Sequence, residues 1–405
     1  MEPGLGKTVT ALYAWGGDAC GPLTVVCPIS AIGVWHNELA DMGYEVPYLP
    51  ASGAAKARAI KGAKIVVTNY ESLLNPAVLA ALPQGGTVIF DESQRIKTPS
   101  AKRTKAAWAL AQNNTTYILT GTPVTKTLMD LYAQYRAIDP GIWDRQSFTR
   151  FKQKYAVMGG YGNYQVVGYR NMEDLEKRIA PYTFALRKED ALSLPPQTDQ
   201  IIPVRAKPGE WRDYKALANG GLWEGEPVEN PLTRALRLQQ TVGLNKIPYT
   251  VEVVEDLLDA GEKVVVFYRF LLEGDLLEDA FTKTGFVHLR GDVKADLRRN
   301  QVERFQTDPR CRVFLAQVDS GAVAITLTAS SNVVYHSMSW SYESAVQSRD
   351  RVHRVGQNRH TTYRYMHMVG PDGQHTIDGL IAKALDHKEN VANMIMANEQ
   401  LLEVQ

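Results

Sequence analysis

The sequence predicts an α/β protein with two parallel-sheet lobes, and three observations lead to this prediction. Short apolar segments alternate with helix-like segments, first over residues 23–120 and again over residues 264–336. These apolar segments carry few polar residues, which is typical of strands buried on both faces of a sheet. Between the two series, Leu194-Pro195-Pro196 interrupts both helix and strand. We therefore expect two lobes that are joined near these prolines.

The first series contains predicted strands separated by turns and helices. These strands are Leu23–Val26, Ile65–Thr68, Thr87–Phe90 and Tyr117–Thr120. The second series repeats the pattern, with strands at Val264–Tyr268, Phe286–Leu289, Val313–Ala316 and Val333–His336. Helices are predicted over Ala101–Ala111, Val251–Leu258 and Leu297–Phe305.

The domain boundaries follow from these series and from the breaks between them. Residues 1–190 form the predicted first lobe, which carries a mainly helical insertion at about 125–185. Residues 191–205 form the predicted connection, and residues 206–375 the second lobe. Residues 376–405 are predicted to add a C-terminal helix, because Ile377, Ile381 and Leu385 follow helical spacing.

Composition excludes several classes of protein. The 405 residues carry 45 Lys and Arg against 44 Asp and Glu, so that nucleic-acid contacts must come from local clusters. Cys20, Cys27 and Cys311 form no CxxC pair, which predicts reduced thiols, no zinc site and a cytoplasmic protein. No apolar run approaches the ~20 residues of a membrane helix, and the N-terminus does not resemble a signal peptide. We expect neither membrane insertion nor secretion.

A phosphate-binding loop is predicted at Gly4-Leu5-Gly6-Lys7-Thr8. Glycines allow backbone N–H groups to close around phosphate oxygens, and the helix predicted over Val9–Trp15 would direct its N-terminus at the anion. Lys7 would pair with the β- and γ-phosphates of ATP, and Thr8 would ligate Mg²⁺. The first glycine of the full pattern falls on Met1.

Two carboxylates, Asp91 and Glu92, follow the predicted strand Thr87–Phe90. Ligands of open α/β sheets bind at the carboxyl ends of strands, so this position suits a nucleotide site. Asp91 would hold Mg²⁺ through water, and Glu92 would act as the general base for the attacking water. The next predicted strand ends at Thr120, whose hydroxyl is expected to bond the Asp91-Glu92 loop.

Basic residues form two further candidate sites. Gln347, Arg351 and Arg354 precede Gly356-Gln357, and the spacing predicts both guanidiniums on one helical face. Arginines can neutralise the charge of a transferring phosphoryl group, although the same spacing also fits a solvated helix or one that binds nucleic-acid phosphates. A second cluster is equally compatible with a solvated helix face and with a phosphate-backbone contact. Its members are Arg95, Lys97, Lys102, Arg103 and Lys105.

Taken together, these motifs resemble those of the Swi/Snf-type DNA translocases of the superfamily 2 helicases. In the first lobe the similar segments are Glu2–Thr8, Val25–Ser30, Thr68–Glu71, Asp91–Gln94 and Leu119–Pro123. In the second lobe they are Val264–Tyr268, Gly291-Asp292 with Arg298, Ser320–Ala329 and Gln347–Gln357. The last segment is the most specific match. The chain is similar in extent to compact viral or bacterial members and to the fork-remodelling branch.

The resemblance implies two RecA-like lobes of the P-loop NTPase type that close on ATP and Mg²⁺ and move along duplex or branched DNA. ATP would contact Gly4 to Thr8, Asp91 and Gln347, with Arg351 and Arg354 as catalytic arginines beside Lys7 and Glu92. DNA contacts are implied at Pro28, Ser30, Thr68, Tyr70, Arg95, Lys97, Lys102, Arg298 and Thr326. Gln94 stands where the family usually has His, and Ala322 and Ala324 where it usually has Gly.

Two alternatives to a DNA-dependent ATPase stay open at this stage. The strand that normally precedes the phosphate loop has no counterpart before Gly4, which fits a nucleic-acid-binding protein with an impaired ATPase. An RNA helicase on the same architecture is the second alternative. The sequence does not identify any protein partner.

Overall fold

The computed structural model describes residues 1–2, 4–50, 53–125, 127–159, 165–219, 222–223, 226–291, 295–319 and 325–387. The chain divides into two compact units, Met1–Ala191 and Leu192–Gln405. Each unit contains one parallel sheet, so the predicted α/β fold with two such sheets is confirmed.

The sheet of the first unit has the strand order β2-β1-β3-β4, and all its pairs are parallel. Its strands are β1 Leu23–Cys27, β2 Ile65–Asn69, β3 Thr87–Asp91 and β4 Thr115–Leu119. The accompanying helices are α1 Lys7–Trp15, α2 Ile32–Asp41, α3 Gly53–Ile60, α4 Pro76–Ala81 and α5 Lys102–Ala111. All four predicted strands are present, the last beginning earlier than predicted.

Both faces of this sheet are buried, as its apolar strands predict. Val26, Val88 and Phe90 face a cluster that includes Ala107 and Leu110 of α5. Their neighbours along the strands face a second cluster formed with α1 and α2. The carboxyl ends of the strands lie beyond these two apolar clusters, so polar groups can collect there.

The insertion in the first unit is built around aromatic side chains. It comprises α6 Asp130–Ile138, α7 Phe148–Tyr155, β5 Ala156–Gly159, β6 Gln165–Tyr169 and α8 Met172–Ile179, and α9 Lys188–Ala191 follows it. Tyr132, Trp143 and Phe151 share one buried cluster, in which the ring centroids of Trp143 and Phe151 lie 4.7 Å apart. The prediction of a mainly helical insertion missed the antiparallel pair β5–β6, because β6 is half exposed and contains Gly168.

The sheet of the second unit has the order β11-β12-β10-β13-β14-β7, again with parallel pairs. Its strands are β7 Gln197–Arg205, β10 Val264–Tyr268, β11 Phe286–Leu289, β12 Val313–Gln317, β13 Asn332–Tyr335 and β14 Thr361–Val369. A short antiparallel pair joins β8 Leu222–Trp223 to β9 Glu226–Pro227. The helices are α10 Pro208–Ala218, α11 Pro231–Asp259, α12 Leu271–Ala280, α13 Ala295–Thr307, α14 Tyr342–Arg349 and α15 Ile377–Asp386.

Strand β7 differs from the prediction, which placed residues 191–205 in a connection between lobes. It pairs with β14 along its whole length, from Gln197 opposite Thr361 to Arg205 opposite Val369. As an edge strand β7 is largely exposed and carries polar residues and Pro203, so it lacks the apolar run by which buried strands are recognised. The chain therefore enters the second unit as part of its sheet.

Helix α11 is the longest helix among the described residues, with 29 residues. The side chain of Asn230 caps it by accepting hydrogen bonds from Leu232 N and Thr233 N. Its buried positions recur on one side and pack against α10, α12 and α15. Within the described part of the chain, neither α11 nor any other helix combines the length and the apolar composition that crossing a bilayer requires.

Helix α15 docks on the second unit through a buried ion pair. Lys246 Nζ donates to Asp378 Oδ2 at 2.7 Å and to Met366 O at 2.7 Å, and the two charged side chains are 0% and 4% exposed. Ile377, Ile381 and Leu385 join the cluster of Trp211 and Leu238. The predicted apolar face is thus present over Ile377–Asp386, and the remainder of the predicted C-terminal helix lies outside the described residues.

Candidate functional site

The glycine loop at the start of the first unit presents backbone N–H groups. Gly4 and Gly6 have φ angles of 84° and 73°, in the left-handed region that favours glycine. Gly6 is the N-cap of α1 and, having no side chain, supplies no capping group to that helix end. A helix N-terminus that begins at a glycine suits phosphate oxygens.

Lys7 lies at the first helical position, above the loop. Its Nζ donates to Met1 O at 3.4 Å and to Glu2 O at 3.2 Å. Glu2 is itself held, because its N–H donates to Leu186 O and its carboxylate accepts from Lys188 N at 2.8 Å. The loop is therefore fastened to the last residues of the same unit.

Asp91 ends β3 and is surrounded by hydrogen-bond donors. Trp35 Nε1 donates to Asp91 Oδ2 at 2.9 Å, Glu92 N to Oδ1 at 3.0 Å, and Tyr70 Oη to the backbone oxygen at 2.7 Å. Burial raises the pKa of Asp91, and the Trp35 hydrogen bond and the Lys7 charge oppose this rise. The hydrogen bond from Trp35 joins residues 56 positions apart in the sequence, so no local pattern reveals it.

Glu92 is held in a left-handed conformation, with φ 53° and ψ 55°. For a residue other than glycine this conformation costs about 1–2 kcal/mol. Gln94 Nε2 donates to Glu92 Oε2 at 2.7 Å, and Thr120 Oγ1 donates to Gln94 Oε1 at 2.8 Å. Thr122 N in turn donates to Thr120 Oγ1 at 2.9 Å. The predicted bond from Thr120 to the Asp91-Glu92 loop is thus present, through the amide of Gln94.

These residues fit a magnesium nucleotide. The loop offers N–H donors to phosphate oxygens, while Thr8 and Asp91 offer a hydroxyl and a carboxylate, the oxygen ligands that Mg²⁺ prefers. The positive charge of Lys7 lowers the pKa of Asp91 and so favours its ionised form, the one that binds a metal ion. A Cβ on Gly6 would meet no atom within 4 Å, so glycine is required there for its conformation.

The candidate DNA contacts of the first unit differ in exposure. Arg95 and Lys102 are exposed, Ser30 and Lys97 are half-buried, and Pro28 is buried. Lys97 Nζ is hydrogen-bonded to Thr125 Oγ1. The two exposed cations are the ones best placed to meet a phosphate backbone.

Thr68 and Tyr70, two of the candidate DNA contacts, are buried. Their exposed fractions are 2% and 0%, because β2 and the turn after it point these side chains into the unit. Tyr70 supports Asp91, as described above. As they stand in this structure, neither side chain is open to a DNA strand.

The arginine segment of the second unit also differs from the prediction. Helix α14 contains Gln347 and ends at Arg349, so Arg351 and Arg354 lie in the turns that follow and do not share a helical face. Gln347 Nε2 donates to Glu343 Oε1 at 3.3 Å. The three-residue spacing suggested a helix, but the chain turns there and packs Val352 into the core.

Arg351 is a buried cation. It is 4% exposed, and its Nη1 has no hydrogen-bond partner among the described residues. Its guanidinium carbon lies 5.9 Å from the ring centre of Phe267, and burial lowers its pKa to about 10. Burial also lowers the pKa of the half-buried Arg354, with the charge of Asp350 opposing the shift.

The remaining candidates of the second unit lie on other elements. Arg298 belongs to α13, and its Nη2 donates to Gly291 O at 2.5 Å. Thr326 is half-buried, and its backbone oxygen accepts from Gln306 Nε2 at 2.9 Å. Asp292, Ala322 and Ala324 lie outside the described residues.

Comparison with protein families gives two adjacent matches. Residues 1–243 match the SNF2-related domain, and residues 249–356 match the helicase conserved C-terminal domain. The first match alone covers more than half of the 405 residues.

Curated relatives match almost the whole chain at low identity. One is the DNA annealing helicase and endonuclease ZRANB3 of Mus musculus, 26% identical over 96% of this chain and 38% of its own length. Another is the SWI/SNF-related matrix-associated actin-dependent regulator of chromatin subfamily A-like protein 1 homolog of Caenorhabditis elegans, 28% identical over 90% of this chain and 55% of its own length. The chain thus spans about half of such relatives, or less.

Among solved structures, the SWI2/SNF2 ATPase core of Sulfolobus solfataricus in complex with dsDNA is similar. It is 25% identical, with 98% of this chain and 87% of that chain covered and a TM-score of 0.42.

Proposed function

The chain belongs to the family defined by the SNF2-related domain, and from that premise we propose that it is a DNA-stimulated ATPase that moves along duplex DNA. The observation that carries the proposal is the Asp91-Glu92 pair at the end of β3, where Glu92 N donates to Asp91 Oδ1 and the charge of Lys7 opposes the rise in the pKa of Asp91. Two carboxylates at a strand end, in the same unit as a phosphate-loop lysine, suit phosphoryl transfer to water.

The residues of the first unit divide the chemistry of ATP hydrolysis among them. The N-terminus of α1 and Lys7 bind the phosphates, and Thr8 and Asp91 would hold Mg²⁺, which when bound neutralises phosphate charge. Glu92 orients the attacking water and accepts its proton. Gln94 keeps the Glu92 carboxylate in place, because its amide donates to Oε2 while accepting from Thr120.

Arg351 and Arg354 supply positive charge to the γ-phosphoryl group during turnover. An isolated buried cation is costly, and it is retained where an anion is to be met. Arg351 fits this description, since it makes no ion pair with any described residue. Gln347, on the preceding helix, lies close in sequence to both arginines.

DNA is the polymer along which we propose that the protein moves. Arg95 and Lys102 follow Glu92 in the sequence, and both are exposed. These two cations would contact the phosphates of a DNA backbone without recognising the base sequence. The ZRANB3 relative is named as an annealing helicase. We therefore favour remodelling or reannealing of duplex or branched DNA over processive strand separation.

The central test is Glu92→Gln. We expect this variant to retain ATP affinity while its DNA-stimulated turnover falls by about 10²–10⁴, because only the proton acceptor is lost. Glu45→Gln, an exposed glutamate of the same unit, is the matched control and should match wild type. Undiminished turnover in Glu92→Gln would refute the assigned role.

The two alternatives are tested with the same preparation. ATP affinity weaker than millimolar in the wild type would favour a nucleic-acid-binding protein with an impaired ATPase. Comparing stimulation by duplex DNA and by RNA at one ionic strength would identify an RNA helicase. A DNA-stimulated rate that declines steeply with salt would support the phosphate contacts of Arg95 and Lys102.

A further inference from the structure

The segment by which the chain enters the second unit is bonded to the arginine segment. His353 Nε2 donates to Pro195 O at 2.8 Å, and Thr361 N donates to Pro196 O at 3.0 Å. Residues 195–199, here called the entry strap, include the start of β7. The strap therefore contacts the chain on both sides of Arg354.

Arg349 makes the strongest link to the entry strap. Its Nη1 lies 2.6 Å from Asp199 Oδ1, and its Nη2 donates to Gln197 Oε1 at 3.0 Å. Charge-assisted hydrogen bonds of this kind are stronger than neutral ones and fix the orientation of a guanidinium. Both acceptors lie on β7, so the end of α14 is tied to the edge of the sheet.

Two tyrosines of β14 complete the surroundings of Arg349. Its Nη1 donates to Tyr365 Oη at 2.6 Å, and its guanidinium carbon lies 4.0 Å from the ring centre of Tyr363. Tyr363 Oη donates to the backbone oxygen of Arg349 at 3.1 Å. The side chain and the main chain of Arg349 are thus both held, at the last residue of α14.

The arginine segment is also fixed from its other side. Leu327 N donates to Arg351 O at 2.8 Å, and Gln357 Nε2 donates to Ser330 O at 2.7 Å. Between Arg349 and Gln357, the position of Arg351 follows from these anchors, because a turn two residues beyond a fixed helix end has little remaining freedom. Moving Arg349 would move Arg351.

We propose that Arg349 is a positioning residue: through Asp199 and Gln197 it lets the entry strap set the place of Arg351 and Arg354. The inference rests on the proposed function, in which those two arginines act on the γ-phosphoryl group. It adds that the connection into the second unit controls the arginines, and that a displacement of residues 195–199 is passed to them.

The experiment is a double-mutant cycle on Asp199→Asn and Arg349→Met in the full chain. A misplacement of about 1 Å can cost roughly a hundredfold in rate, so we expect kcat of DNA-stimulated hydrolysis to fall by about 10–100-fold in Arg349→Met. ATP and DNA affinities should stay within twofold of wild type, because Arg349 is not among the proposed ATP or DNA contacts and its guanidinium is bonded to Asp199, Gln197 and Tyr365. Asp199→Asn should lower kcat when Arg349 is present, and it should have little further effect on kcat in the Arg349→Met background.

Two further variants keep the result specific. Arg349→Lys retains the charge opposite Asp199 and should recover part of kcat. Arg205→Gln changes an exposed arginine at the far end of the same strand, whose Nη1 donates to Pro371 O, and should leave kcat unchanged. Melting temperatures of all variants separate positioning from unfolding.

The outcomes distinguish this inference from the function on which it rests. A wild type without ATPase activity would overturn both. An active wild type with additive effects in the cycle, with normal kcat in Arg349→Met, or with a raised KM at unchanged kcat would overturn only the positioning role.

Discussion

The carboxylates at the end of β3 are surrounded by hydrogen-bond donors, whereas the guanidinium of Arg351 is buried beside an aromatic ring with Nη1 unbonded among the described residues. Asp91 has Trp35 and the charge of Lys7 to offset its burial. Arg351 has no comparable compensation among the described residues of its own unit.

The difference indicates two ways of preparing a site for a charged reaction. In the first unit, positions are fixed by hydrogen bonds before any ligand arrives, which is the preorganisation that electrostatic catalysis requires. In the second unit, a charge is kept without a partner among the described residues, so that its attraction for an anion is not already satisfied. Removing each group should therefore affect activity and stability in different proportions.

Arg351→Met gives the largest expected effect and tests the comparison directly. In the role we propose for it, Arg351 neutralises the transferring phosphoryl group, so its loss should lower kcat by about 10³–10⁵. The melting temperature should remain equal or rise, because an uncompensated buried charge is replaced by an apolar side chain of similar length. A variant that loses stability along with activity would show that Arg351 is structural, and the comparison would fail.

Lys246→Met is the matched contrast, since Lys246 is a buried cation with a partner. Its removal leaves Asp378 buried and unpaired, so we expect a loss of about 3–5 kcal/mol in the free energy of unfolding, measured by urea denaturation. The double variant Lys246→Met/Asp378→Leu should recover most of this loss. No recovery would indicate that the bond from Lys246 to Met366 O, rather than the ion pair, holds α15 in place.

The sequence was sufficient to predict the strands that are buried on both faces. Val264–Tyr268 and Phe286–Leu289 are observed with the bounds that their apolar runs predict. The family resemblance, based on the combined motifs of both lobes with Gln347–Gln357 as the most specific, is confirmed by the two family matches. Local composition and spacing suffice for both predictions, because a strand buried on both faces is a contiguous apolar run and a family motif is a set of residues close together in sequence.

Other features depend on contacts between distant residues and could not be predicted. Strand β7 is polar and lies at an edge, so only its pairing with β14 identifies it. The spacing of Arg351 and Arg354 suggested a helix, but packing of the turn after α14 decided otherwise. The role of Trp35 comes from a hydrogen bond across 56 positions of sequence.

Thr120→Val tests the hydrogen-bond chain of the first unit. The valine lacks the Thr120 hydroxyl that donates to the amide oxygen of Gln94. The Gln94 amide is then less well fixed, and so is the Glu92 carboxylate that it holds. A hydrogen bond of this kind is worth about 1–1.5 kcal/mol, so kcat should fall roughly tenfold at unchanged ATP affinity. Thr115→Val, at the exposed start of β4, the strand that Thr120 follows, is the control and should behave as wild type. Equal effects of both substitutions would mean that the strand, and not the hydrogen bond, is responsible.

Asp91→Asn gives the smallest expected change in stability and tests whether the compensation around that carboxyl group is complete. Burial raises the pKa of Asp91 above the ordinary 3.8, so the folded state binds its proton more tightly than the unfolded state does. The ionised carboxylate therefore lowers stability at neutral pH, and this penalty disappears as the pH falls through the raised pKa toward 3.8. The neutral amide of the variant carries no such penalty: the variant should be the more stable protein at pH ~7, and the difference from wild type should shrink on acidification. Denaturation curves recorded from about pH 7 to about pH 4 measure this difference. A variant that is less stable at neutral pH would show instead that Trp35 and Lys7 stabilise the charge by more than burial costs, which would widen the contrast with Arg351.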